Sequence, residues 1–570
     1  MHIRSCPRLP SSGTTTHARP HARPDRRNRT LRTLRSLRTT TGFLLASALL
    51  VSACSLGSST SAASATRATA TGTTTPGTTA RSGTPALHAL PGATPSALTP
   101  YYGQKLTWRS CGGRGFECAT LKAPLDYATP GRGDLRLAVS RKKATGPGKR
   151  LGSLLLNPGG PGSAAVGYLR SYAGIAYPAA VRARYDLVAV DPRGVAGSEP
   201  VECLSGRRMD AYTQTDFTPD DRRETDELVS AFKEFANGCG AQAPRLLRHV
   251  STVEAARDMD ILRAVLGDKR LTYVGASYGT FLGATYAELF PERVGRLVLD
   301  GAMDPSLPAR KLNEDQTAGF ETAFRSFAKD CVRQRDCPLG GADATPAEAG
   351  RKLKAFLGRL DAKPIPAGDS GGRALGESLA TTGVVAAMYN EKSWPRLRQA
   401  LTRAIDHRDG SGLLALSDGY YERGADGEYA NLMSANAAVN CLDSPSAFST
   451  PEQARRALPA FEKASPVFGR FLAWSSLSCA YWPVMPTGTP HRIAAKGAAP
   501  IVVVGTTRDP ATPYHWARAL ASQLSSGRLL TYDGDGHTAY GRGSRCIDSA
   551  INTYLLDGTP PTRGKRCSQA

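Results

Sequence analysis

LTYVGASYGTFLGATYAELFP, residues 271–291, is the stretch on which the reading of this chain turns. Leu271, Thr272, Tyr273 and Val274 form a short run suited to a buried strand, and residues 280–290 read as a helix that Pro291 ends. Between them stands Gly275-Ala276-Ser277-Tyr278-Gly279. A chain that passes from strand to helix in so few residues must hold Ser277 in a strained conformation with its hydroxyl exposed, and the flanking glycines give the turn room. Three fixed residues in five recur by chance, and a tight turn with no chemistry is the bland alternative. The strand before and the helix after favour Ser277 as a nucleophile.

Outward from this turn, similar apolar runs recur at 135–140, 151–157, 185–190, 297–300, 501–504 and 529–532, bounded by Gly, Pro and Asp. Several are continuous rather than alternating, as expected of strands buried on both faces of a mostly parallel sheet. Residues 252–266 (TVEAARDMDILRAVL) place Val253, Ala256, Met259, Ile261, Leu262 and Val265 near one face, with Ser251 or Thr252 to cap the start. Strand–helix alternation of this kind predicts an α/β fold. Residues 101–304 form its first part and residues 496–570 its last. Residues 305–495 break the rhythm with helix formers and four cysteines, and are expected to form a mainly helical lid over the carboxyl ends of the strands.

A serine hydroxyl barely ionises near neutral pH and needs a base within hydrogen-bond reach. Asp509 follows the run at 501–504, and His537 follows the run at 529–532. The chain order Ser, Asp, His suits a catalytic triad: His537 as base, with Asp509 holding its tautomer. Asp533 and Asp535 are alternative acids and His515 an alternative base, but their settings read as turn and helix residues. The oxyanion would be met by the backbone N–H of Tyr278 and by one from Asn157-Pro158-Gly159-Gly160-Pro161-Gly162, where Pro161 has no N–H and Gly160 is the choice.

Of the formal charge of +23, residues 1–53 supply +9, with ten arginines against one acid, Asp25, and leave +14 in the rest. The rest remains basic but shows no basic–aromatic cluster or motif of a nucleic-acid binder, so a solvated basic surface is expected. The apolar run at 42–53 (GFLLASALLVSA) is too short to span a bilayer and follows an Arg-rich stretch, so residues 1–53 read as a secretory signal. Val51-Ser52-Ala53-Cys54 resembles the lipobox of bacterial lipoproteins, which implies a lipid on Cys54. Residues 54–100, rich in Ser, Thr, Ala and Gly, read as a flexible tether. Beyond Cys6 and Cys54, ten of the twelve cysteines remain. An even number in an exported chain reads as disulfides, with neighbouring pairs the simplest connectivity, and no spacing suits a metal.

The stretches NPGGPG (157–162), YDLVAVDPRGVAGS (185–198), YVGASYGT (273–280), LVLDGAMDP (297–305), GTTRDPATP (505–513) and GDGHT (534–538) together resemble the secreted tripeptidyl aminopeptidases and related proline iminopeptidase-like enzymes. The resemblance also takes in the 251–267 helix and the segments around Asn440-Cys441-Leu442-Asp443 and Cys479-Ala480-Tyr481-Trp482-Pro483. It implies an α/β-hydrolase fold: a mostly parallel sheet with helices on both faces, a helical lid, and disulfide staples. It further implies cleavage of short peptides from free N-termini, with no metal or cofactor and peptides as the partners. Nothing in the sequence indicates an oligomer, so a monomer is expected. After NPGGPG the family loop often continues with glycine, whereas Ser163-Ala164-Ala165 follows here. The carboxylate that would meet a substrate amine is not identified; Asp443 and other lid acids are open. An esterase or amidase on the same triad, or a non-catalytic surface lipoprotein, are the competing readings.

Overall fold

The computed structural model describes residues 87–113, 115–368 and 371–568. The signal segment, Cys54 and most of the tether lie outside the described residues. The tether expectation ran to residue 100, yet Leu98 and Tyr101 are buried and Leu87 and Leu90 pack against the core. These apolar side chains are enough to dock a segment whose composition alone reads as linker.

One sheet carries the fold. Its strands are β1 (Arg109–Ser110), β2 (Phe116–Pro124), β3 (Asp134–Lys142), β4 (Gly152–Asn157), β5 (Tyr185–Val190), β6 (Leu271–Ala276), β7 (Val294–Asp300), β8 (Ile501–Arg508), β9 (Gly527–Asp535) and β10 (Arg566–Ser568). Their order is β1-β2-β3-β5-β4-β6-β7-β8-β9-β10. The β1, β2, β3 and β5 pairings are antiparallel, and the pairings from β5 through β10 are parallel. The main helices are α1 (Arg222–Gln242), α2 (Thr252–Val265), α3 (Tyr278–Leu289), α4 (Ala309–Cys331), α5 (Pro346–Ala362), α6 (Glu377–Met388), α7 (Trp394–His407), α8 (Ser411–Tyr421), α9 (Leu432–Asp443), α10 (Pro451–Ala464), α11 (Gly469–Ser475), α12 (Tyr514–Gln523) and α13 (Arg545–Asp557).

The continuous apolar strands are explained by cover on both faces. Leu155, Tyr273, Leu299 and Val503 meet α2, α3 and α12 on one side. Their neighbours Leu154, Val274, Val298 and Val504 meet α13 and the 165–181 segment on the other. Each such side chain contributes roughly 1.5–3 kcal/mol when fully buried. This is the expected α/β-hydrolase sheet.

The chain leaves β4 for β5 on one flank and returns to β6 on the other. Asn157 and Gly275 are therefore partners at the carboxyl ends of adjacent strands. A reversal of this kind opens the crevice where open α/β sheets bind ligands.

Helices α4 to α8 build a cluster of their own around Phe324, Phe327, Leu353 and Leu413. A second cluster joins Phe217, Leu228 and Phe232 of the 217–232 region to Phe448, Phe461 and Trp474. Residues 217–232 thus pack with the lid segment, although the sequence reading placed them in the first part of the core, while Phe235 and Cys239 further along α1 join the sheet's cluster. Conversely, Ala438, Val439 and Leu442 of α9 belong to the sheet's own cluster. The pairing of cysteines follows the neighbour rule: Cys111–Cys118, Cys203–Cys239, Cys331–Cys337, Cys441–Cys479 and Cys546–Cys567. None of the described helices is long and apolar enough to cross a membrane.

Candidate active site

Ser277 stands at the joint between β6 and α3 with φ 55° and ψ −123°. A residue with a side chain rarely adopts such a conformation, and it persists only where the surroundings over-determine it. Here they do. A Cβ on Gly275 would lie 2.3 Å from the Gly279 carbonyl oxygen, and one on Gly279 would lie 2.8 Å from Asn157 Oδ1. The Ser277 N–H donates to the Asp300 carbonyl at 2.9 Å.

Asp509 follows β8 and is 2% exposed. Its carboxylate accepts the N–H groups of Ala511 (3.0 Å), Thr512 (2.8 Å) and Thr538 (3.1 Å). His537 Nδ1 lies 2.8 and 3.0 Å from the two Asp509 oxygens. A proton on Nδ1 facing the carboxylate leaves Nε2 with its lone pair free, which is the tautomer a general base needs. The lid holds the same histidine from the other side. The His537 N–H donates to the Tyr389 carbonyl at 2.8 Å, and the Tyr389 ring meets the imidazole edge-on with centroids 5.4 Å apart.

Asp300, at the end of β7, ties the serine and histidine loops together. Its carbonyl accepts from Ser277, while its buried carboxylate accepts the N–H groups of Ala539 (3.0 Å) and Tyr540 (2.8 Å). Burial pushes the Asp300 carboxyl above its ordinary value, and these backbone donors oppose that rise.

The loop after β4 runs directly beside Ser277. A Cβ on Gly159 would lie 2.5 Å from the Ala276 carbonyl oxygen and 2.9 Å from Ser277 Cβ. The Gly159 N–H is already given to Asn157 Oδ1 at 2.9 Å. Pro161 has none, so Gly160 carries the first uncommitted donor of the glycine run. The Tyr278 N–H opens α3, at the positive end of that helix. Helix α9 braces the loop, with Asn436 Nδ2 donating to the Pro161 carbonyl at 3.0 Å.

Gly160, Ser277 and Tyr278 share a cavity of about 450 Å³ between sheet and lid. Aromatic and aliphatic groups dominate its wall, Phe281, Phe320, Tyr389 and Phe471 among them, and its acids are Asp304 and Asp443. Among the described residues, no Lys, Arg or His lines it.

The alternative triad members are occupied elsewhere. Asp533 and Asp535 both pair with Arg508, each at 2.9 Å, and His515 Nε2 lies 2.9 Å from Asp315. Sequence reasoning missed Asp300, Tyr389 and Asn436. The strand-end position of Asp300 is a usable signal, the same one that singles out Asp509 as a candidate. Tyr389 and Asn436 carry no local signal, since each acts on a loop far away in the chain.

A family model described as TAP-like protein matches residues 465–567. Serine protease Hip1 of Mycobacterium tuberculosis is 38% identical over 494 residues, covering 82% of this chain and 92% of its own length. Carboxylesterase B of the same species is 37% identical over 494 residues, with 84% and 93% covered. Tripeptidyl aminopeptidase of Streptomyces lividans is 30% identical over 480 residues, with 81% and 86% covered. With identity of this order running through sheet, site and lid, the chain belongs to the TAP-like family of α/β-hydrolases.

Proposed function

We propose that this chain is an exported serine peptidase that removes short peptides, tripeptides foremost, from free N-termini. The observation that carries the reading is the short contact of His537 Nδ1 with buried Asp509, in a loop clamped by Asp300 to the strained Ser277 turn. His537 Nε2 takes the Ser277 proton as Oγ attacks the scissile carbonyl. Gly160 and Tyr278 donate to the resulting oxyanion. The tetrahedral species collapses, the C–N bond breaks, and His537 gives its proton to the departing amine. Water, deprotonated by His537, then releases the acyl peptide from Ser277. The Asp509 carboxylate stays ionised throughout and stabilises the imidazolium.

Export is supported by the five bridges, which persist in oxidising compartments. Cys54 would carry the lipid that anchors a monomeric enzyme to the membrane. A second reading, ester hydrolysis on the same triad, is favoured by the carboxylesterase relative and by the largely apolar cavity wall.

A free-amine tripeptidyl chromogenic amide, its N-acetylated counterpart and a simple acyl ester, offered to wild type and to Ser277→Ala, separate the two. The proposal expects Ser277-dependent turnover that is selective for the free amine. Turnover of the ester alone would leave the esterase reading standing.

A further inference from the structure

Helix α9 crosses the loop that carries Gly160. A Cβ on Gly162 would lie 2.5 Å from the Leu432 carbonyl oxygen, and Asn436 binds the Pro161 carbonyl. From that crossing point, one face of α9 turns Asn436, Asn440 and Asp443 towards the cavity. Asn436 to Asp443 is seven residues, or about 10 Å along a helix. Three extended residues of a peptide span about the same length. A substrate whose scissile carbonyl sits by Gly160 and runs along this face therefore brings its third residue from the cut to Asp443.

The Asp443 carboxylate is ready for a cation. Oδ1 accepts the Thr252 N–H at 2.8 Å and Oδ2 accepts the Thr252 hydroxyl at 2.5 Å. Each oxygen has a second lone pair to offer. Burial, with the Glu254 carboxylate adding to it, pushes its pKa up to about 7, and no cation among the described residues pairs with it. A desolvated carboxylate without a counter-ion is costly to hold. The other acid of the cavity, Asp304, lies beyond β7 rather than on α9. It collects three donors on one oxygen, from Ser306 N, Ser306 Oγ and Gln523 Nε2.

We propose that Asp443 binds the terminal ammonium of the peptide and so sets the length of the fragment released. This rests on the peptidase reading above and deepens it. The ammonium completes the lone pairs left by Thr252, and an N-acetylated or longer chain has no cation at that place.

The test is the ratio of kcat/KM for a free-amine tripeptidyl amide to that for its N-acetylated form, in wild type, Asp443→Asn, Asp443→Glu and Asp304→Asn. The asparagine can still accept from Thr252 N–H, and each variant's melting curve is taken first. The ratio is expected to fall roughly 10–100-fold in Asp443→Asn, to recover in part in Asp443→Glu, and to hold in Asp304→Asn. In Ser277→Ala protein, calorimetric binding of the free tripeptide is expected to weaken by the same factor when Asp443→Asn is added. An unchanged ratio and affinity in Asp443→Asn, or a collapse in Asp304→Asn instead, would overturn the assignment while leaving the peptidase reading intact. A wild type indifferent to the free amine would remove both.

Discussion

At the residue scale, each site group is held by more bonds than its own chemistry needs. Asp509 accepts three backbone N–H groups besides the imidazole, and those donors fix which oxygens face His537. Asp509→Asn offers His537 an amide in place of a charge and disfavours the productive tautomer. We expect kcat to fall about 10⁴-fold, as when a triad acid is neutralised. Loss of acceptor capacity for the 511–512 and 538 N–H groups will also lower the melting temperature. Stopped-flow acylation beside a melting curve separates the two effects, and a kcat within tenfold of wild type would remove Asp509 from the triad. The placement of Ser277, Asp509 and His537, the triad proposed here, was legible in the sequence because each follows the end of a strand, and strand ends of a parallel sheet share one edge. Asp300 also ends a strand, but its role depends on backbone groups of residues 539 and 540 that no local pattern points to.

At the element scale, α9 is the piece that joins the sheet, the Gly160 loop and the lid. Its apolar side, Ala438, Val439 and Leu442, joins the sheet's cluster, while Asn436 reaches the oxyanion loop. The Cys441–Cys479 bridge, whose cysteines are 38 positions apart in sequence, ties the end of α9 to the lid. A cross-link of this span stabilises by roughly 2–4 kcal/mol. The Cys441→Ser/Cys479→Ser double variant should lose stability of that order in a denaturant titration. KM should rise more than kcat falls, because Asp509 and His537 are positioned by the sheet and by Tyr389 rather than by α9. A drop in kcat with KM unchanged would mean that α9 supports the reacting groups themselves. The sequence reading put α9 in the lid. Its docking on the sheet reflects a stripe of small apolar residues that is too short to announce its partner.

At the scale of the whole molecule, an acidic group sits where lid elements from distant parts of the chain converge. Asp216 precedes α1, Asp361 ends α5 and Glu377 begins α6, with ligand oxygens within 4.8 Å of one another. Arg470 of α11 pairs nearby with Asp220 at 2.6 Å. Burial, then repulsion from its neighbours, raises Glu377 to about 7 and Asp361 to about 6. A carboxyl whose folded pKa lies above its unfolded value binds more protons when folded. The stability it contributes is therefore present below the ordinary carboxylate range and is lost as pH rises through about 6 to 7. Wild type should melt lower at pH 8 than at pH 5 by roughly 2–4 °C more than Glu377→Gln does. Parallel profiles for the two proteins would show that Glu377 is ionised at both pH values. These residues were silent in the sequence, since an acid on a helix terminus ordinarily reads as a solvated cap.

What the sequence by itself determined is what local pattern and chain order can encode. The continuous apolar runs identified a parallel sheet covered on both faces, the Gly275–Gly279 pattern identified a tight strand-to-helix turn at Ser277, and the even cysteine count identified disulfides without fixing which cysteines pair. Only the tertiary structure decided which distant pieces meet: residues 217–232 with the 448–474 region, Tyr389 with His537, Asn436 with the Gly160 loop, and Asp443 with the cavity. The physical reason is that strands and tight turns are specified within a few residues by backbone sterics and burial. A lid is assembled from contacts separated by hundreds of residues, whose partners are chosen only when the surfaces pack.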